Sequence, residues 1–176
     1  MPELVSTMTA LQSGILIVSA ALLGVASLND IAARVIPNFV PFSLLVIGIA
    51  LRLLDGNALN ALIVSTTIFL ASAVCWRFGF LGGGDVKLLA ACAWLVPPAL
   101  VPQLVLLTAI VGGILACLYL ALNRIARASR APTYAMKPRS LAGRIRRAEW
   151  WRIRRRAALP YGCAIAVATL LTLSGG

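Results

Sequence analysis

Six apolar runs, at about residues 11–28, 39–54, 58–78, 86–101, 103–122 and 157–173, occupy most of the 176-residue chain and leave it little choice of fold. A helix that crosses a membrane needs about 20 mostly apolar residues. In hydrocarbon each backbone N–H and C=O must be satisfied within the segment, which an α-helix achieves. The runs therefore predict an all-α polytopic membrane protein, one integral domain over residues 1–176 built as a bundle of six transmembrane helices. With 61% of residues hydrophobic and 12% charged, there is too little polar surface for a water-soluble globule.

The formal net charge of +11 invites a nucleic-acid reading until it is divided by position. Twelve of the 16 Lys/Arg lie between Arg124 and Arg156, and the remainder of the chain balances four basic residues against Glu3, Asp30, Asp55 and Asp85. A basic block between apolar runs reads as a cytoplasmic loop, here residues 123–156, and no nucleic-acid partner is expected. Within it Leu141, Ile145, Ala148 and Trp151 step by three and four, so residues 139–156 predict an amphipathic helix on anionic lipid, drawn by about 1 kcal/mol per basic residue near the surface. The first run has no Lys or Arg before it, so it predicts a span and not a cleaved secretion signal.

Counting Lys/Arg in alternate loops orients the bundle. Arg34, then Arg77 and Lys87, then the twelve of the basic segment fall on one side and Arg52 alone on the other. Loops one, three and five are thus expected in the cytoplasm and both termini outside. Asp30 and Asp85 then share the cytoplasmic face, while Asp55 lies at the other. Two carboxylates brought together in this way can share a proton and work as an acid–base pair.

The run-in to Asp85 is unusual. Phe80-Leu81-Gly82-Gly83-Gly84-Asp85-Val86-Lys87 places three glycines and a carboxylate between apolar runs. Glycines there can adopt positive φ and admit another backbone, and an ionisable group beside a span points to function. Helix capping by Asp85 is the plainer alternative. The run after it is short. About eleven residues separate Val86 from Pro97-Pro98, roughly 16 Å of helix against about 30 Å of hydrocarbon, so either the helix kinks through the prolines or it begins below the membrane surface. Cys75, Cys92, Cys117 and Cys163 stand singly in apolar runs, there is no histidine, and no metal site or cofactor is expected.

Asp30 followed by Ile36-Pro37-Asn38, with Gly82-Gly83-Gly84-Asp85-Val86-Lys87 as a G-x-G-D-x-K pattern, resembles the type IV prepilin peptidases, the G-x-G-D class of membrane aspartic proteases. The resemblance covers roughly Leu11 to Pro97, and Pro160-Tyr161-Gly162 is similar to that family's P-[YF]-G. It implies that Asp30 and Asp85 are catalytic, that the substrate is a prepilin or pseudopilin precursor cut on the cytoplasmic side just after a glycine, and that the protein sits in a bacterial inner membrane. Longer members carry an N-terminal cytoplasmic domain with paired C-x-x-C motifs linked to N-methylation. This chain has no such cysteines, so methyltransferase activity is not implied. The short form resembles the dedicated peptidases of tight-adherence (Flp-type) pili, the Caulobacter pilus-assembly kind.

On this reading Gly82 and Gly84 let substrate backbone lie close, Pro37 and Asn38 shape the loop that holds Asp30, and Lys87 either braces Asp85, meets an acidic group or reaches to the surface. Helix dipoles predict Asp85, at a helix start, as the ionised base and Asp30, at a helix end, as the protonated acid, with Arg34 able to reverse the bias. A small proton- or ion-coupled transporter or channel subunit would use the same carboxylates, although no internal repeat is visible. The sequence leaves the oligomeric state open.

Overall fold

In the computed structural model, residues 2–128 and 159–175 are described, with side chains over 14–124 and 159–175. The elements are α1 (Pro2–Ala33), α2 (Phe39–Leu54), α3 (Ala58–Arg77), α4 (Gly83–Leu95), a 3-10 turn (Pro98–Leu100), α5 (Val101–Ala128) and α6 (Tyr161–Ser174), with no strand among the described residues. Three stretches, Gly14–Ala33, Ala58–Arg77 and Pro98–Arg124, are long and apolar enough to cross a membrane, and α2 and α6 are shorter apolar helices. The all-helical class and the membrane character expected from the apolar runs are thus present. Residues 129–158, with most of the basic segment and the expected lipid-binding helix 139–156, lie outside the described residues.

Four of the departures of element boundaries from the apolar runs have a local cause or bear on the site. First, α1 continues through Asn29 and Asp30, because Ser27 Oγ and Asn29 Nδ2 donate back to the carbonyls of Leu23 and Val25 at 2.9 and 2.8 Å and so do not interrupt the helix. Second, α4 ends at Leu95 and does not kink through the prolines. Val96 and Pro97 each precede a proline and are extended, with ψ of 141° and 137°, as clash with the following ring requires. Third, α5 starts at Val101 and runs to Ala128, so the first residues assigned to the basic loop are helical. Fourth, α6 starts only at Tyr161, after Pro160.

The core forms around α4. Its buried residues, Val86, Leu88, Leu89, Ala91, Cys92, Ala93 and Leu95, fall on every side of the helix, the mark of an element enclosed by others. Its partners are α2, α3 and α6, while α1 and α5 pack mainly on α6. The enclosing faces use small or stepped residues that let helices come close without relying on water exclusion. On α2 the stripe is Val40, Leu44, Gly48 and Arg52, one residue every four. On α3 it is Ala61, Ser65 and Ser72, with Ser65 Oγ donating to the Ala90 carbonyl of α4 at 3.1 Å. Outward positions carry large exposed hydrophobics such as Ile17, Phe42, Leu59, Leu70 and Ile114, as a lipid-facing surface demands.

Gly48 fixes the α2–α4 approach, since a Cβ there would sit 2.7 Å from the Trp94 carbonyl carbon and 2.8 Å from the Leu95 nitrogen, backbone atoms that cannot turn aside. Gly48→Ala should destabilise the protein by about 1–3 kcal/mol, read as a lowered midpoint of thermal unfolding in detergent. Gly113→Ala on α5, with nothing within 4 Å, should leave it unchanged or raised.

Candidate active site

Four element ends converge at one end of the bundle: the last turn of α1, the link into α2, the first turn of α4 and the first turn of α6. Helix starts leave backbone N–H groups without an intrahelical partner, and α6 uses one of them on a carboxylate. The Gly162 N–H donates to Asp30 Oδ2 at 2.8 Å across 132 residues of sequence. A Cβ at Gly162 would lie 2.9 Å from that oxygen, so only glycine lets the strand of backbone come so near. Ile36, buried in the link, is wedged between α4 and α6; Cβ atoms at Gly84 and Gly162 would lie 3.3 and 3.1 Å from its side chain.

Asp85 is the third residue of α4 and half-buried. Its Oδ2 accepts from the Gly82 N–H at 3.2 Å, one half of a capping box. The capping alternative is therefore real, and it coexists with proximity to Asp30. Burial, and after it the nearby charge of Asp30, push the Asp85 carboxyl up from 3.8 to about 6, against the lowering effects of the Gly82 N–H and of Arg34. The net rise is larger than a helix-dipole effect of roughly 0.3–1 kcal/mol, worth less than one pKa unit, so burial and not the dipole dominates at Asp85.

The remaining residues singled out in the sequence divide. Lys87 Nζ donates to Asn38 Oδ1 at 3.2 Å, so the lysine ties α4 to the start of α2 at an exposed position. Pro37 and Asn38 shape the turn, their carbonyls accepting from Val40 and Phe42 at 3.1 and 3.3 Å. Gly82 and Gly84 do not adopt positive φ; they supply room, since a Cβ at Gly82 would meet Asp85 Oδ2 at 2.8 Å. Asp55 stands apart. It pairs with Arg52 Nη1 at 2.9 Å at the C-terminal end of α2, about 24 Å of helix from Asn38. Arg34 closes the corner: its guanidinium donates to Tyr119 Oη at 3.3 Å and lies 5.8 Å from that ring's centroid. Among the described residues no group of three or more His, Cys, Asp or Glu is gathered in a way that could hold a metal ion.

With both carboxylates at one corner, a comparison with known families is decisive. The profile of the type IV leader peptidase family matches residues 17–117, a stretch that holds both Asp30 and Asp85. The chain belongs to the type IV leader peptidase family. Comparison with curated proteins and with solved structures returned no match. Membership makes the chain a peptidase of the leader-processing kind, and an integral membrane protein, in place of the ion-translocating alternative for the same acids. Gly162 and Tyr119 lie beyond the matched residues. Gly162 had a visible signal, a glycine just after Pro160-Tyr161 where an apolar run opens, but its bond to Asp30 did not follow from that signal. Ile36 stood in the Ile36-Pro37-Asn38 motif, but its wedge between α4 and α6 did not follow from that, and Tyr119 carried no signal beyond being aromatic in an apolar stretch.

The Asp85 shift has a stability consequence. The folded-state value lies above that of the unfolded chain, so the contribution is complete below about 3.8 and is lost as pH rises through about 6. Thermal midpoints in detergent should therefore fall between pH 4 and pH 7 more steeply in the wild type than in Asp85→Asn. Parallel curves would contradict the assignment.

Proposed function

We propose that this leader peptidase removes the leader of Flp-type prepilins at the cytoplasmic face of a bacterial inner membrane, with Asp30 and Asp85 as its catalytic pair. The observation that carries this reading is the meeting of two carboxylates from α1 and α4, one held by the Gly162 N–H and the other by the Gly82 N–H. The cytoplasmic placement rests on the fifteen-to-one division of Lys/Arg between alternate loops of a six-span chain. The Flp assignment rests on the short first loop, which has no C-x-x-C motif.

The chemistry is that of an acid–base pair. One aspartate, as the carboxylate, takes a proton from the water that attacks the scissile carbonyl, while the other, protonated, donates to the carbonyl oxygen. The tetrahedral diol then collapses: the first passes its proton to the leaving nitrogen, a hydroxyl proton returns to the second, and the pair regains its starting state. Between α2, α3 and α4, a groove of about 340 Å³ lined by Asn38, Pro41, Phe42, Leu45, Phe69 and Lys87 offers an apolar surface to substrate residues, although neither Asp30 nor Asp85 lines it. The exposed Lys87–Asn38 bond stands at its polar end.

Co-expression with a prepilin, followed by the size shift on leader removal, tests the reading. Asp30→Asn and Asp85→Asn should each lower cleavage by about 10²–10⁴-fold at unchanged membrane levels, and Asp55→Asn should stay near wild type. Processing by Asp85→Asn at the wild-type rate would sink the assignment. Gly162→Ala, which drives a methyl against the Asp30 carboxylate, should cost about 10²-fold, whereas Gly83→Ala, whose nearest contact is 3.5 Å, should cost much less.

A further inference from the structure

Arg34 is the one non-glycine residue with positive φ among the described residues, at 58°. It occupies the left-handed position that ends a helix, where glycine is usual because side chains disfavour that backbone. Its N–H donates to the Asp30 carbonyl at 3.0 Å, which closes α1 and turns the arginine side chain towards the convergence of helix ends. There the guanidinium meets Tyr119, 85 residues away on α5, by a 3.3 Å hydrogen bond to Oη and by the ring face at 5.8 Å. Guanidinium over a tyrosine face is an attraction beyond the hydrogen bond itself, and an arginine keeps its charge at any working pH.

We propose that Arg34 and Tyr119 form a positioning pair, in which Tyr119 of α5 holds the Arg34 guanidinium at the corner shared by Asp30 and Asp85 so that a fixed positive charge faces both carboxylates. The catalytic meaning of this pair rests on the peptidase reading; its electrostatic content does not. Arg34 already acts on Asp85, whose carboxyl it draws down against burial. Among the described residues, several other titratable or charged side chains near the corner are engaged or exposed. Lys87 of α4 is engaged by Asn38, the Cys163 thiol of α6 donates to the Ser27 carbonyl at 3.6 Å, Tyr161 of α6 lies against Gly112 of α5, and Arg77 of α3 is exposed. The pair therefore gives α5, which otherwise packs mainly on α6, a hold on the proton of the carboxylate pair.

Carboxyl infrared titration of the full chain in lipid nanodiscs reads this without substrate. The Asp85 band, assigned by its loss in Asp85→Asn, should titrate near 6 in the wild type. In Arg34→Gln the midpoint should rise by about one pH unit or more, and Arg34→Lys should restore most of the difference. Tyr119→Phe, which keeps the ring and loses the acceptor, should shift it less than Tyr119→Ala, and both in the same direction. Midpoints equal to wild type in Tyr119→Ala and in whichever Arg34 variant melts cooperatively would overturn the proposal. Prepilin cleavage by the wild type, measured separately, decides the peptidase reading whatever the titration shows.

Discussion

A carboxylate withdrawn from water must find its hydrogen bonds inside the protein, and Asp30, 6% exposed in the last turn of α1, finds one in the N–H of Gly162. Much of the corner depends on that bond. It sets where α6 begins against α1, and it demands glycine at the donor because any side chain would meet the accepting oxygen. It also leaves a slot between α4 and α6 that Ile36 fills. A backbone donor left over at a helix start thus serves the carboxylate directly.

How far the sequence foretold this varies residue by residue. The meeting of Asp30 and Asp85, and the exclusion of Asp55, followed from counting charges in alternate loops, because membrane topology decides which residues share a face before any packing is known. The shortness of α4 was legible too, since prolines end helices in a way that local sterics dictate. What was not legible depends on packing between distant segments. At Asp85 burial outweighs the helix dipole and pushes the carboxyl up, and burial is not written in the local sequence. The Gly162 donor and the Tyr119 ring come from α6 and α5, and no local pattern near Asp30 names them.

The glycines of the Gly82-Gly83-Gly84 stretch teach the same lesson. Three together invite a reading in terms of backbone freedom, yet none has positive φ, and the structure uses their missing side chains. Gly82 leaves room for the carboxylate of Asp85, Gly84 for Ile36, and Gly83 sits in ordinary contact with Trp76. Positive φ appears instead at Arg34, where a glycine would have been the easier choice. Space where glycine is present and strain where it is absent both gather around the two acids.

The packing of α2 and α3 on α4, and of α1 and α5 on α6, divides the described chain into two three-helix groups. Asp85 rides with the first group and Asp30 with the second. The first is pinned lengthwise at two points, the Lys87–Asn38 bond and the fit of Gly48 against Trp94 and Leu95. The acid pair is thus a seam. Its geometry measures how the two groups sit together, so a substitution far from either carboxylate that slides one group past the other is felt at the seam as a change in the distance between the two acids.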